Sequence, residues 1–273
     1  MAIIAMTQHL GTRGAELGRL TAARLGYRFL TADQLIADTS KLYNVTPEQL
    51  VIVDERRPHF WERLKTDTER FVAFFRSVVL KEMAADRLVI IGRSVTHVMP
   101  DTTCGARVRL TAPVKERVSL VAEEEKSSPA VAERRVRDYD REMRARIQTL
   151  LNVDIDDPSN FTLTLNTSAM PLERSATMLA ALAREIDRAA RPEHWRVIRD
   201  AALAAEVRAA LIFHPKIGHA PLEVQCAGGV VHVNGPGLVP PWDDLVTDVV
   251  RQVDGVTAVE IYAEESPIPV RPG

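Results

Sequence analysis

Through residue 190 the chain alternates short apolar runs with longer amphipathic stretches, and this alternation constrains the fold more than any other feature. Strands that each lead into a helix predict a parallel sheet covered by helices. The apolar runs fall at residues 2–6, 27–30 and 88–91 ("RLVIIGRS"), then at 107–111 ("ARVRLTAP") and within "NFTLTLNTS" near residue 165. Between them, helical periodicity predicts a helix closing at Gly26, another after residue 30, and a long one over residues 59–85. Thr46-Pro47 reads as a helix start and Pro58 as a break. A helical region follows from Val114 to Leu151, interrupted by "KSSP" at 126–129, and a last helix carries Pro171 near its start.

Past Pro192 the pattern changes. "RPEHWRVIRD" concentrates charge around a proline, and the domain boundary is placed there. The expected division is residues 1–192 and residues 198–265. The second unit reads as a helix over 200–213, a hairpin turning at Gly228-Gly229, a helix over 242–253 and a strand over 256–262. That is an α-β-β-α-β unit of small size. Trp195 and Trp242 flank it and are expected to pack.

The chain's 273 residues exceed the usual single-domain size, and 46% are apolar, enough to fill two cores. A net charge of −2 gives no global attraction to nucleic acid or anionic membrane, so any polyanion site is a local pocket. Cys104 and Cys226 stand far apart and outside any CxxC pattern, which argues against a disulfide framework or a cysteine metal site. The opening apolar run is short and no basic segment precedes it; a soluble cytoplasmic protein without a transmembrane segment is the expectation.

The opening, "AIIAMTQHLGTRGAELGRLTAARLG", sets a glycine-containing loop at residues 8–14 between a buried strand and a helix. In that setting backbone N–H groups and a helix N-terminus cradle phosphate. The full GxxxxGK[ST] signature is absent, because Ala15 follows Gly14 and the loop holds no lysine. Gln8 reads as a solvated loop residue.

Taken together, these segments resemble the cytidylate kinase-like family of P-loop nucleoside monophosphate kinases. The opening is similar to that family's strand end followed by GSGGREIG and a helix. "LVIIGRSVTHVMPD" resembles its central strand with a Gly-Arg pair and a later Pro-Asp. "VRLTAPVKERV" is similar to its next strand and the start of its lid, and "DIDDPSNFTLTLNTSAMPLERSATML" to the DP…Y…L-N-T segment that closes its sheet. The C-terminal unit resembles a BON domain, through "VRAALIFHP", "LEVQCAGGVVHVNG" and "VDGVTAVE". The fold so implied is a three-layer α/β P-loop kinase with a helical lid, followed by a small αββαβ BON-like domain.

The resemblance implies that ATP phosphates sit over Gly11, Thr12, Arg13, Gly14, Ala15, Glu16 and Leu17. Arg13 either replaces the missing lysine or fills a place where a glycine lets phosphate approach. Arg93, just past a buried strand, matches the arginine that holds the acceptor's phosphate, and Asp101 the Pro-Asp pair; a surface salt bridge and a loop acid are the plain alternatives. Arg137, Arg141 and Arg144 share a helix face as lid arginines would, with Asp138 near the acceptor; interleaved acids give the alternative of a solvated helix. The lid register stays open between Asp138 and Asp140. Ser94 stands where simple cytidylate kinases carry aspartate, the metal ligand is unknown, and Mg²⁺ is expected to arrive on ATP. His9, His97 and His214 read as structural or loop residues. The implied activity is transfer of the ATP γ-phosphate to a small phosphorylated acceptor, CMP-like. The alternative is a catalytically degenerate nucleotide-binding regulator or scaffold that contacts a protein or lipid through residues 198–264.

Overall fold

The opening run folds as expected, as β1 (Ile3–Gln8), a strand apolar on both faces and therefore covered on both. In the computed structural model, residues 2–47, 50, 65–92, 94–218 and 220–264 are described. After β1 come α1 (Gly14–Leu25), β2 (Arg28–Thr31), α2 (Ala32–Tyr43), α3 (Lys65–Ala84), β3 (Leu88–Ile91) and the short α4 (Val95–Val98). The chain continues through β4 (Gly105–Thr111), α5 (Val114–Glu124), α6 (Pro129–Leu151), a 3-10 turn (Pro158–Asn160), β5 (Leu163–Asn166) and α7 (Leu172–Ala189). The five strands form one parallel sheet in the order β2-β3-β1-β4-β5.

Alternation along β1 assigns its side chains to two cores. Ile3 and Ala5 join Leu35, Phe74, Val79 and Ile90 on the face covered by α2 and α3. Ile4 and Met6 join Leu17, Val108, Ala176 and Leu179 on the face covered by α1 and α7. The result is the expected three-layer α/β arrangement. Residues 59–64 of the expected long helix, the break at Pro58, and Arg93 lie outside the described residues.

Local signals set the helix ends. Thr31 caps α2, its hydroxyl accepting from the Gln34 N–H while the Gln34 side chain accepts from the Thr31 N–H. Ser128 and Pro129 start α6 where "KSSP" interrupts the helical pattern, and Asn152 ends it in the left-handed conformation.

The second unit departs from expectation at its entrance. Pro192, read from sequence as a boundary, is the first residue of α8 (Pro192–Phe213), a 22-residue helix. A proline at that position lacks only a donor that the first turn leaves unused anyway. Trp195, Ile198, Ala202, Ala205, Ala209 and Ile212 of α8 pack into the α2/α3 core. Val207 and Leu211 face a separate core built by β6 (Glu223–Ala227), β7 (Val230–Pro236), α9 (Trp242–Arg251) and β8 (Ala258–Glu264). The order is α-β-β-α-β, with β6 and β7 antiparallel across the Gly228-Gly229 turn and β7 and β8 parallel. Trp195 is buried as expected. Trp242, expected to pack, is 46% exposed, because it opens the first turn of α9 rather than its apolar face.

Candidate functional site

The loop joining β1 to α1 lies at the carboxyl edge of the sheet, where open α/β sheets bind ligands. Gly11 turns there at φ 79°, and a Cβ on it would stand 2.7 Å from the Arg117 carbonyl oxygen, so α5 passes directly against the loop. Arg13 holds φ 56°, a left-handed conformation costing a residue with a side chain about 1 kcal/mol or more. Its guanidinium turns to the surface and donates from Nε and Nη2 to the two carboxylate oxygens of Glu16, at 2.8 and 2.7 Å. An exposed pair of this kind contributes little to stability.

Gln8 corrects the sequence reading of a solvated residue. Its Oε1 accepts from the Gly14 N–H at 3.0 Å and lies 3.3 Å from the Thr12 hydroxyl. Thr12, itself buried, donates to the His9 carbonyl at 2.8 Å. A Cβ on Gly14 would fall 2.1 Å from Gln8 Oε1 and 2.7 Å from Ile91 Cδ1. The first amide of α1, the donor best placed for a phosphate, is thus held by the protein's own carboxamide.

A charged network ties this loop to the helices beyond it. Arg117 is buried; it donates to the carbonyls of Ala112 (3.1 Å) and Leu10 (3.3 Å) and to both carboxylate oxygens of Asp140 on α6 (3.0 and 2.7 Å). Arg109, on β4, donates to Asp156 Oδ1 at 2.6 Å and to His9 Nε2 at 3.1 Å. Because a guanidinium only donates, Nε2 is an acceptor and His9 carries its proton on Nδ1, 3.3 Å from the Thr111 hydroxyl. Burial, reinforced by the charges of Arg109 and Arg117 against those of Asp140 and Asp156, lowers the His9 pKa to about 4. Arg144 donates to the other oxygen of Asp156, at 2.6 Å. Burial alone would raise the Asp156 pKa; hydrogen bonds from Arg109 and Arg144 outweigh it and hold the carboxyl below its ordinary value.

A cleft of about 520 Å³ opens beside the loop, between residues 11–13, Glu116 and Leu120 of α5, and residues 167–172. Gly11, Thr12 and Arg13 line it. Leu17 is fully buried in the core, so it offers the cleft no side chain.

The other residues singled out in the sequence are dispersed. Arg137 pairs with Glu133 and Arg141 with Asp138, both on the outer surface of α6. Asp101, 94% exposed at its side chain, pairs with Arg107. Of these three arginines of α6, Arg144 joins the charged network, through the half-exposed Asp156. Of the two acids between which the register was left open, Asp140 meets Arg117 and Asp138 pairs with Arg141, while Met143 packs with Ile147 and Ile155. Sequence reasoning missed Arg109, Arg117 and Asp156. A charge inside the apolar alternation of "VRL" is the signal that could have found Arg109. Among the described residues no cluster of three or more His, Cys, Asp or Glu is placed to hold a metal ion.

Rotation of the Gln8 carboxamide would free the Gly14 N–H as a donor, while Ile91 and Leu110 go on packing against the same glycine. Among solved structures, an uncharacterized protein from Eubacterium ventriosum ATCC 27560 superposes with a TM-score of 0.53 at 11% identity, over 67% of this chain and 98% of that one. A shikimate kinase from Bacteroides thetaiotaomicron gives 0.42 at 16% identity, over 67% and 98%. A gluconokinase from Sinorhizobium meliloti 1021 gives 0.41 at 16%, over 70% and 98%. The first likeness speaks to fold alone. No curated protein matches the chain. The profile of the cytidylate kinase-like family matches residues 3–169, and these include β1, the loop, the sheet and α6. On that match, which spans more than half of the sequence, the chain belongs to the cytidylate kinase-like family.

Proposed function

We propose that this chain is an ATP-dependent kinase that phosphorylates a small, already phosphorylated acceptor of the CMP type. The observation carrying the reading is the cleft beside residues 11–13, walled by α5 and the segment before α7, with α6 pinned against the loop through Arg117 and Asp140. Residues 11–17 would hold the ATP phosphates through backbone N–H groups, Arg13 after leaving Glu16. Bound ATP supplies the phosphoryl group, and the Mg²⁺ it carries neutralises the group's charge. Arg93, with Asp101 and Asp138, would take the acceptor. Arg137, Arg141 and Arg144 would act as cations of the lid once freed from their acidic partners. A turnover assay with Mg-ATP and a panel of nucleoside monophosphates tests the reading; ADP formation that requires one acceptor is the expected result, and none with any acceptor contradicts it.

A second reading has its own support. Gln8 occupies the Gly14 amide and Arg13 is turned to Glu16, as in a protein that binds nucleotide without transferring phosphate. Such a protein would bind Mg-ATP and leave it intact. In either case the α-β-β-α-β order supports reading residues 198–265 as a BON-like module for protein or phospholipid contact, and residues 1–192 as the kinase-like domain, in a cytoplasmic protein.

A further inference from the structure

We infer that the Asp156 carboxylate occupies an oxyanion site built by Arg109 and Arg144, and that a ligand's phosphoryl group takes its place there. The inference rests on the kinase reading only for the identity of the molecule that carries the phosphate.

Arg109 is 8% exposed, on a strand whose neighbours Val108 and Leu110 are core residues. A buried guanidinium requires a counter-charge in contact. Its ion pair is with Asp156, while His9 contributes a neutral acceptor and the centre of the Phe161 ring lies 5.5 Å from its Cζ. The guanidinium is therefore fixed in orientation before any ligand arrives. Arg144, from the lid helix, meets the same carboxylate from the other side, so two guanidiniums on separate elements converge on one anionic group at 2.6 Å each. That arrangement suits a tetrahedral oxyanion. A phosphoryl group offers three oxygens and close to two negative charges where the carboxylate offers two oxygens and one.

Asp156 is also the member of this network best able to leave. It belongs to the turn between α6 and β5 rather than to a helix or strand, and its side chain is 41% exposed. The neighbouring acids are engaged elsewhere: Asp140 with Arg117, Asp154 with the Asp156 N–H at 2.9 Å, and Asp157 with the Ser159 N–H at 2.8 Å. The site adjoins the phosphate loop, because Arg109 pairs in register with Thr7 and touches His9.

The test uses the full chain, with orthophosphate, CMP, cytidine and Mg-ATP titrated separately by calorimetry and thermal shift. Asp156→Asn keeps the shape and removes the competing charge; orthophosphate should then bind at least tenfold more tightly than to the parent chain. Adding Arg144→Gln should abolish that gain. CMP binding more tightly than orthophosphate, with cytidine silent, would identify the acceptor's phosphate as the occupant; equal affinities would identify free phosphate, and both uphold the site. Orthophosphate affinity unchanged by Asp156→Asn overturns the inference. Should Asp156→Asn fail to fold, Arg144→Gln alone decides, since this exposed residue is replaceable; it must weaken orthophosphate binding severalfold, and no change contradicts the site. Mg-ATP separates the two proposals: ATP bound without the phosphate gain sinks this inference alone, and the phosphate gain without ATP binding sinks the kinase reading alone.

Discussion

At the scale of single residues, Gln8 governs what the loop can do. Its carboxamide oxygen holds the Gly14 amide, the donor that the proposed function assigns to phosphate. One such hydrogen bond is worth about 0.5–1.5 kcal/mol net, so Gln8→Ala should tighten Mg-ATP binding roughly two- to tenfold in a calorimetric titration. Weaker binding by that variant would show that the glutamine assists the nucleotide instead of competing with it. Gly14 is constrained by its surroundings. An added Cβ meets Ile91 and Leu110 side chains as well as Gln8, at 2.7, 2.9 and 2.1 Å. Gly14→Ala should therefore cost about 1–3 kcal/mol in denaturant unfolding, and pairing it with Gln8→Ala should recover only part of the loss.

At the scale of elements, α6 is latched by Arg117 with Asp140 and by Arg144 with Asp156, in addition to the exposed Arg135–Glu125 pair. The first is the stronger, because Arg117 is buried and bidentate. Arg117→Met leaves Asp140 without its counter-charge and should destabilise the chain by about 3 kcal/mol. Amide exchange in α6 should rise in that variant while β1 stays protected; equal acceleration in both would mean that the latch is part of the global core. The elements were largely legible in the sequence, because strand and helix periodicities report burial that neighbouring residues impose. The "KSSP" break and the Gly228-Gly229 turn are local chemistry and were found where expected. The start of α8 was not, since a proline near charges reads the same at a linker and at a first helical turn. The site was less legible for a different reason. Gln8 meets a residue six positions on, which a loop pattern hides, and Arg109 meets His9 across 100 residues and Asp156 across 47. Such pairs arise only when the sheet order β1-β4-β5 brings distant strands and turns to one edge.

At the scale of the whole molecule, α8 couples the two units by contributing to both cores. Far-ultraviolet dichroism and the fluorescence of Trp195 should accordingly report one coincident unfolding transition, whereas two separated transitions would show that α8 can leave one core intact. Stability should also fall in mild acid. Burial lowers the pKa of both His9 and His97 to about 4, for His97 with the charges of Arg107 and Arg109 acting in the same direction. Against an unfolded value of about 6.5, the unfolded chain binds more protons between these limits. The contribution of the neutral imidazoles is therefore complete above about pH 6.5 and is lost as pH falls toward 4, on the order of 1–3 kcal/mol for each. His97→Asn should flatten that profile in urea titrations at successive pH values, and an unchanged slope would exclude His97 as a source. In the proposed kinase, nucleotide and phosphorylated acceptor bind adjoining sites of one folded domain. Thermal unfolding with Mg-ATP, with CMP and with both tests this. A ligand at one hundred times its dissociation constant adds about 2.7 kcal/mol when it binds only the folded state. Stabilisation by each alone and a larger effect with both is the predicted result; no shift with either at millimolar concentration would contradict the account.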